Sequence, residues 1–546
     1  MINFKEKVVY QIYPKSFYDA DNDGQGDFKG VIEKLDYLEY LGIDYIWFNA
    51  CFLSPQNDNG YDVEDYYQID PQYGTMEDFE LLCKEAKKHK IDIMLDMVFN
   101  HTSTKHEWFQ KALAGEQKYK DYYIFRKGKP DGTSPTNWVS KFGGNVWQYV
   151  EAFDEYYLHL FDKTQADLNW DNPEVRDEMS KVVRYWMDKG VKGFRFDVVN
   201  LISKPEELKD DFEGDGRRFY TDGPHVHEYL RQLNLQSFGK DPQCITAGEM
   251  SSTSLESCVK YAGEDRNELT MVFNFHHLKV DYKNKDKWAL KPFDFKELKM
   301  LFNIWQEEMQ RHKAWNALFW CNHDQPRAVS RFGNDKQYHK QSAKMLATAI
   351  HCLRGTPYIY QGEEIGMTSA YFDTIDEYRD VESLNYYRIL GEKGYNEKEK
   401  FEILQARSRD NSRTPMQWND EPYAGFTKAT PWIDINKNYK TINVEANKKD
   451  KDSILEHYRK LIKLRKQYRV IQDGLYERMM ENHTEVFAYK RILDEEELIV
   501  LNNFYGKETK IDFIDKEQYE VLLTNYDNSN ELSLLRPYES IVLYKK

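Results

Sequence analysis

Three carboxylates follow apolar segments of the sequence at positions where they could act together. Asp197 ends the segment GFRFD, Glu249 stands in GEM, and Asp324 lies in CNHDQPR. A single Asp after a strand is more often a helix cap or an ion-pair partner, but three carboxylates at the ends of three predicted strands are expected to converge on one cleft. Paired carboxylates are what cleavage of a glycosidic bond requires, because one protonates the leaving oxygen and the other acts on the oxocarbenium-like centre.

Eight short apolar runs provide the strands that would position these residues. Most of the runs are nearly continuous in hydrophobic residues, which is typical of strands buried on both faces of a sheet. Helical patterns lie between most of them, and this alternation predicts an α/β fold of the (β/α)8 TIM-barrel type. The predicted strands are residues 8–14, 43–50, 91–100, 192–200, 244–250, 270–275, 316–324 and 356–364.

Two parts of the chain depart from this alternation. Residues 101–170 separate the third strand from the next helix and are rich in Tyr, Trp, Gly and Lys, so we predict a small inserted domain after strand 3. After about residue 470, short strands without helices predict a C-terminal antiparallel β-sandwich domain. The predicted domains are a catalytic barrel in 1–100 and 171–470, an inserted subdomain in 101–170 and a β domain in 471–546.

The composition argues against several classes of protein. The formal net charge of -16 disfavours nucleic acid as a partner. No stretch approaches ~18 consecutive apolar residues, so we expect no membrane span. The first residues, MINFKEKVVYQIYPKSF, lack the pattern of a secretory leader. Six Cys without CxxC spacing predict reduced, buried thiols and a cytoplasmic location.

The segments around the carboxylates resemble the α-amylase superfamily, the family 13 glycoside hydrolases. DMVFNH, GFRFD, GEM and NHDQPR occur in the order of the four signature regions of that family, and the resemblance extends over essentially the whole chain. QIYPKSF, DNGYDVEDY, YGTMEDF and SRDNSRTPMQW are similar to the branch of exo-acting α-glucosidases that includes the oligo-1,6-glucosidases.

This resemblance implies a role for each carboxylate. Asp197 would be the nucleophile that attacks the anomeric carbon and forms a β-glucosyl ester, and Arg195 would keep its carboxylate ionised. Glu249 would be the general acid and then the base, with a pKa raised by burial and by nearby Asp charges. Asp324 would bind sugar hydroxyls and stabilise the distorted ring. A separation of about 5–5.5 Å between Asp197 and Glu249 would mean retention of configuration.

The same resemblance implies a pocket that fits one terminal glucose. His101 and His323 would hydrogen-bond to its hydroxyls, and Tyr61 would stack on the sugar ring. Asp58 and Arg409 would hold the far edge of the ring and close the pocket.

An acidic segment near the N-terminus, DADNDGQGD, has the spacing of the first part of an EF-hand loop. The bidentate Glu of a complete EF-hand is missing, so a solvated acidic turn is the alternative interpretation. Family members carry calcium in this loop, and the resemblance implies a structural Ca²⁺ here, with no organic cofactor. Its ligands would be Asp19, Asp21, Asp23, Asp27 and the carbonyl of Gln25.

A basic segment, FNFHHLKVDYKNKDKW, follows the predicted sixth strand of this acidic chain. A loop after that strand borders the leaving-group side of the cleft, and this segment resembles the trehalose-6-phosphate hydrolases. The loop after strand 4, EGDGRRFYTDGPHVHEYL, shares that resemblance. Cations at this place would receive a sugar phosphate. We predict that Lys279 and Lys287, and less directly Arg217 and Arg218, bind the phosphate, whereas Lys283 and Lys285 are solvated.

The resemblance therefore implies hydrolysis of trehalose 6-phosphate to glucose and glucose 6-phosphate. The partner would be a small phosphorylated disaccharide, with no nucleic acid and no membrane, and we expect a monomer. Three alternatives stay open: an α-glucosidase for unphosphorylated substrates such as an oligo-1,6-glucosidase, a transglucosylase, and a non-catalytic amylase-like interaction subunit.

Overall fold

A parallel barrel of eight strands forms the centre of the protein. The structure is a computed structural model that describes residues 3–511, 516–527 and 532–546. Neighbouring strands pair in the order β6-β5-β4-β3-β2-β1-β8-β7, and a parallel bridge from Val272 to Asn316 joins the two ends. The strands are β1 (Val9–Ile12), β2 (Tyr45–Phe48), β3 (Asp92–Met97), β4 (Gly193–Phe196), β5 (Ile245–Glu249), β6 (Met271–Phe273), β7 (Ala317–Leu318) and β8 (Thr356–Tyr360).

One main helix follows each strand. Side chains accept backbone N–H bonds at the first turn of several helices, as Thr75, Asn172, Asp294 and Ser453 do. The main helices are α1 (Leu35–Leu41), α2 (Met76–Lys88), α3 (Pro173–Asp188), α4 (Val226–Gln236), α5 (Leu255–Tyr261), α6 (Phe295–Arg311), α7 (His339–His351) and α8 (Ile454–Gln467). Additional helices lie at Phe28–Glu33, Arg217–Tyr220, Ala328–Phe332, Val381–Glu392, Glu397–Arg407, Asp410–Arg413, Val444–Lys449 and Arg469–Asp473.

The predicted barrel is confirmed, although the strands are shorter than the apolar runs that predicted them. All barrel strand residues except Asp92 are buried, which explains the lack of alternation in the sequence. The largest difference is at 316–324, where only Ala317–Leu318 form a strand. The rest of that run leaves the sheet and carries its polar residues toward the barrel mouth.

The segment after β3 contains small elements of its own. His101–Ser103 pairs with Gln165–Asp167, and a three-stranded sheet is formed by Phe125–Arg126, Glu155–Leu158 and Trp147–Val150. Two helices precede that sheet, at Glu107–Leu113 and Gln117–Lys120. The domain limits of 101–170 and of the other two units stay predictions.

An antiparallel sheet ends the chain, as predicted. Its strands pair in the order β9-β10-β11-β13-β12, and the strand pair Thr509–Lys510 and Leu534–Leu535 forms a second small sheet. Phe487 of the sheet stacks on Phe302 of α6 at 5.4 Å between ring centroids, which joins the sheet to the barrel. The strands are β9 (Leu475–Met479), β10 (Val486–Leu493), β11 (Glu496–Asn503), β12 (Glu520–Thr524) and β13 (Ser540–Lys545).

All six cysteines are free thiols. Four are buried as predicted, whereas Cys83 on α2 and Cys244, which directly precedes β5, are half-buried. None of the helices in the described part of the chain combines the length and hydrophobicity needed to cross a bilayer.

Candidate active site

A cavity of about 220 Å³ opens at the carboxyl ends of the barrel strands. This is the end at which TIM-barrel enzymes place their catalytic groups, because eight loops meet there. Ten of the predicted site residues line the cavity, namely Asp58, Tyr61, His101, Asp197, Glu249, Lys279, Lys287, His323, Asp324 and Arg409.

A buried guanidinium, that of Arg195, joins three carboxylates at the floor of this cavity. Its Nη1 lies 2.5 Å from Asp197 Oδ1 and 2.7 Å from Asp96 Oδ1, and its Nη2 contacts Glu249 Oε2. The strand register creates the arrangement, because Arg195 on β4 is aligned with Asp96 on β3 and with Ala247 on β5. Arg195 therefore holds Asp197 and Glu249 side by side. The distance of about 5–5.5 Å expected between their two carboxyl groups stays a prediction.

The two carboxyl groups that contact Arg195 and line the cavity, those of Asp197 and Glu249, have different pKa values. Burial raises the pKa of Glu249 to about 8, against the opposing charge of Arg195, and the charges of Asp197 and Asp324 raise it further. Burial raises the pKa of Asp197 to about 6, again against Arg195. The predicted upward shift of Glu249 is thus confirmed. At neutral pH, Glu249 holds a proton and Asp197 is ionised, which is the division of states that an acid and a nucleophile need.

Cations hold the third carboxylate, Asp324, in its ionised form. Its Oδ1 lies 3.0 Å from Arg413 Nη2 and 3.3 Å from Arg409 Nη1, and its Oδ2 lies 3.2 Å from His323 Nε2. Burial raises the pKa of Asp324, but His323 and the charges of Arg409 and Arg413 outweigh it and bring the pKa well below its usual range. Arg413 also donates from Nε to the carbonyl of His323 at 2.9 Å, so it positions this segment from behind the cavity.

Neutral polar groups and an aromatic face form the deep wall. The ring of Tyr61 stacks on that of His323, with centroids 5.2 Å apart, and its hydroxyl donates to Asp96 at 2.9 Å. Burial lowers the pKa of His101 to about 4 and that of His323 to about 3. Both imidazoles are therefore neutral at pH 7, so a sugar hydroxyl beside them would meet an uncharged ring.

A buried ion pair closes the end of the pocket. Asp58 Oδ1 lies 3.0 Å from Arg409 Nη2, and Arg409 also contacts Asp380 at 2.5 Å. Burial raises the pKa of Asp58 to about 7, with Arg409 opposing the shift. Asp58 and Arg409, both predicted at the far edge of the sugar ring, are thus in contact with each other, while their roles in binding stay predictions.

The predicted basic residues are divided between the cavity and the surface. Lys279 and Lys287 line the cavity, but the ammonium of Lys287 lies 2.6 Å from Glu382. Arg217 and Arg218 do not line it, because Arg217 pairs with Asp215 and Arg218 pairs with Asp211 and Glu213. The structure also shows Lys283 and Lys285 as exposed, in agreement with their predicted solvation.

Lys279 differs from Lys287 in its electrostatic surroundings. The side chain of Lys279 lines the open cavity and is exposed to solvent there. The loop that carries it is surrounded by protein. Partial burial lowers the pKa of Lys279 to about 8, and the charge of Arg217 lowers it further. Among the described residues, no carboxylate forms an ion pair with this ammonium, so an anion in the cavity would meet an uncompensated cation.

Several residues that line the cavity were not predicted, among them Lys141, Gln165 and Glu382. Gln165 Nε2 donates to Asp58 Oδ2 at 3.2 Å and lies 3.1 Å from His101 Nε2. Lys141 and Gln165 come from the segment after β3, and Glu382 comes from the long segment after β8. Their sequence surroundings carry no strand-end signal, because none of the three follows a barrel strand directly.

The acidic segment near the N-terminus brings three of its predicted ligands together. One oxygen from each of Asp19, Asp21 and Asp27 lies within 4.8 Å of the others. Asp23 is not part of this group, and its carboxylate accepts from Gln25 N–H at 2.8 Å. Burial and the neighbouring Asp charges raise the pKa of Asp21. A hard cation such as Ca²⁺ would offset this repulsion by binding to the carboxylate oxygens. The contribution of the Gln25 carbonyl stays a prediction.

The fold and the site match one protein family. The model of the alpha amylase catalytic domain matches residues 11–474. The chain belongs to the alpha-amylase family. A second model, that of the alpha-amylase SusG C-terminal domain, matches residues 486–542.

Individual members of the family align with this chain from end to end. It is 53% identical to a trehalose-6-phosphate hydrolase of Bacillus subtilis (strain 168), over 99% of this chain and 97% of the other. It is 47% identical to an oligo-1,6-glucosidase of Bacillus cereus, over 100% of this chain and 99% of the other. The crystal structure of a Bacillus licheniformis trehalose-6-phosphate hydrolase superposes with a TM-score of 0.95 at 55% identity and covers 99% of each chain.

Proposed function

We propose that this protein is a retaining α-glucosidase that hydrolyses trehalose 6-phosphate to glucose and glucose 6-phosphate. The observation that carries the proposal is the position of Lys279, an uncompensated cation in the same cavity as Asp197 and Glu249. The proposal is supported by the similarity to trehalose-6-phosphate hydrolases at 53% and 55% identity. The cationic cavity and the similarity to these enzymes both indicate that the substrate is an α-glucoside with a negative charge.

The shared guanidinium supports a double-displacement mechanism. Asp197 attacks the anomeric carbon while Glu249 gives its proton to the leaving oxygen, and water then hydrolyses the glucosyl ester with Glu249 acting as base. Arg195 orients both carboxylates and keeps Asp197 ionised near neutral pH despite its burial. Asp324, held by three cationic or polar partners, accepts hydrogen bonds from sugar hydroxyls and stabilises the distorted ring.

The pocket beyond the carboxylates suits an uncharged terminal glucose. Neutral His101 and His323 offer hydrogen bonds to its hydroxyls, and Tyr61 offers an aromatic face. The pair of Asp58 and Arg409 closes this end, so a longer chain of sugars has no path through it. The phosphorylated glucose must then occupy the open, leaving-group side near Lys279.

A comparison of substrates tests this assignment against its nearest rivals. We expect kcat/KM for trehalose 6-phosphate to exceed that for isomaltose by at least about 10-fold, because a charge-assisted contact contributes about 1.5–3 kcal/mol. A preference for isomaltose would instead favour an oligo-1,6-glucosidase. Transfer products in place of free glucose would favour a transglucosylase, and absence of turnover would favour a non-catalytic interaction subunit.

We also propose a structural Ca²⁺ held by Asp19, Asp21 and Asp27, with Asp23 and Gln25 as further candidates. Saturation of a site that exists only in the folded chain stabilises that chain by ~2.7 kcal/mol at 100 times Kd. We therefore expect millimolar Ca²⁺ to raise the Tm of the protein by a few degrees and to leave the Tm of Asp21→Asn nearly unchanged. An equal response of both proteins, or no response of either, would refute the site.

The cell compartment and the oligomeric state also remain proposals. The free thiols and a phosphorylated sugar as substrate both fit a cytoplasmic enzyme. Gel filtration with light scattering would test the expected monomer, and a stable dimer would contradict it.

A further inference from the structure

Lys141 is a cavity residue whose backbone is fixed by the segment after β3. Its N–H donates to the carbonyl of Leu160 at 2.9 Å. The preceding residue, Ser140, donates from Oγ to the carbonyl of Phe161 at 2.7 Å and accepts from the N–H of Phe142 at 3.1 Å. These bonds on both sides of Lys141 determine where its side chain enters the cavity.

The ammonium of Lys141 reaches the loop that carries the general acid. It donates to Ser251 Oγ at 2.9 Å, and Ser251 is two residues after Glu249. Asn200 fixes Ser251 in turn, because it accepts from the N–H of Ser251 at 2.8 Å and donates to its carbonyl at 2.9 Å. Since Glu249 protonates the leaving oxygen, the ammonium of Lys141 is held on the side of the cavity that the leaving sugar occupies.

Lys141 lies near two other cations, Arg217 and Lys279. In the described part of the chain its ammonium makes no ion pair with a carboxylate, and its recorded hydrogen bond goes to a neutral hydroxyl. Burial lowers the pKa of Lys141 to about 7, and the charges of Arg217 and Lys279 lower it further, whereas Asp215 and Glu249 oppose the shift. A bound dianion would relieve the repulsion between Lys141 and Lys279 and would favour their charged forms.

We infer that Lys141 is a second phosphate-binding residue, which together with Lys279 selects the phosphorylated leaving group. This inference rests on the proposed function and adds a determinant from a distant part of the chain. Lys141 and Lys279 approach the leaving group from two different segments, so together they bind more than one phosphate oxygen.

The alternative role of Lys141 is structural, as a tie between its loop and Ser251. Two substitutions separate these roles, because Lys141→Ala removes the charge whereas Ser251→Ala removes only the tie. Lys163 provides the matched control, since it is an exposed lysine of the same inserted segment and does not line the cavity.

The test measures kcat/KM for trehalose 6-phosphate and for isomaltose in each variant. We expect Lys141→Ala to lower the ratio of the two values by about 10- to 100-fold, as loss of one charge-assisted contact does. Lys141→Arg should restore most of the ratio, because it restores the charge. Ser251→Ala and Lys163→Ala should each change the ratio by less than about threefold.

Inhibition by the products gives a second readout that does not depend on turnover rates. Lys141→Ala should weaken inhibition by glucose 6-phosphate about 10-fold or more relative to inhibition by glucose. An equal loss on both substrates, or a ratio lowered as much by Ser251→Ala as by Lys141→Ala, would overturn the inference in favour of the structural tie. If the unmodified enzyme shows no preference for the phosphorylated substrate, the proposed function itself fails, which is a distinguishable result.

Discussion

Replacement of Asp197 by Asn should lower kcat for trehalose 6-phosphate by about 10⁴-fold or more, because the amide cannot form the glucosyl ester. The substitution keeps the shape of the side chain and removes one of three carboxylates around Arg195, so the protein should fold normally. It also removes a negative charge that raises the pKa of Glu249, and we expect that pKa to fall in the variant.

Asp96→Asn is the matched control for this result. Asp96 contacts the same guanidinium at 2.7 Å but does not line the cavity, so its loss disturbs Arg195 without removing a reacting group. We expect a decrease in kcat of only about 10- to 100-fold for Asp96→Asn. In Asp197→Ala, added azide should restore turnover of an activated aryl α-glucoside and give the β-glucosyl azide. Equal losses in Asp96→Asn and Asp197→Asn would contradict the role of Asp197 as nucleophile.

Replacement of Glu249 by Gln should lower kcat for trehalose 6-phosphate by about 10³-fold, within the range of general acid catalysis. It should also remove one limb of the pH profile. Glu249 must be protonated to act, so activity is lost as pH rises through its pKa of about 8. Asp197 must be ionised, so activity is lost as pH falls through its pKa of about 6. Glutamine does not titrate, and Glu249→Gln should keep only the acidic limb.

The leaving group provides the internal control for Glu249→Gln. A dinitrophenyl α-glucoside needs little protonation to depart, so formation of the glucosyl ester from it should be nearly as fast in the variant as in the unmodified enzyme. An alkaline limb near pH 8 that persists in the variant on unphosphorylated isomaltose, which offers Lys279 no phosphate, would exclude Glu249 as the acid. An equal loss on trehalose 6-phosphate and on the dinitrophenyl glucoside would exclude it as well.

The three catalytic carboxylates could be predicted from the sequence because each lies close in sequence to the barrel strand that positions it. Asp197, Glu249 and Asp324 each follow a barrel strand, and the carboxyl ends of all eight strands meet at one mouth. A short motif after a strand therefore specifies both the side chain and its place. The same reasoning places His101 after β3 and His323 after β7.

Long-range pairs could not be predicted in this way. Lys141 meets Ser251 across 110 residues of sequence, and Lys287 meets Glu382 across 95. No periodicity or spacing encodes such a contact, because the loops that carry these residues acquire their positions only when the barrel closes. For the same reason Lys279 and Lys287 were equivalent in the sequence but differ in the structure, where Lys287 contacts Glu382. Lys279 faces the cavity and has no ion-pair partner within the part of the chain that the structure describes, whereas Arg217 and Arg218 pair with their own neighbours.

The acidic loop shows an intermediate case. Its spacing correctly predicted that Asp19, Asp21 and Asp27 lie together, since alternate positions of a tight turn converge. It did not predict that Asp27 also accepts from Gly30 N–H at 2.6 Å and begins the helix Phe28–Glu33. Nor did it predict that Asp23 turns toward its own loop backbone.

The measurement that tests the central claim most directly is kcat/KM for trehalose 6-phosphate and for isomaltose in Lys279→Ala. Lys283→Ala is its control, because Lys283 lies four residues on in the same segment, is exposed and does not line the cavity. We expect Lys279→Ala to lose about 10- to 100-fold on trehalose 6-phosphate and less than about threefold on isomaltose, with Lys283→Ala like the unmodified enzyme. Equal losses on both substrates, or no loss on the phosphorylated one, would contradict recognition of the phosphate by Lys279.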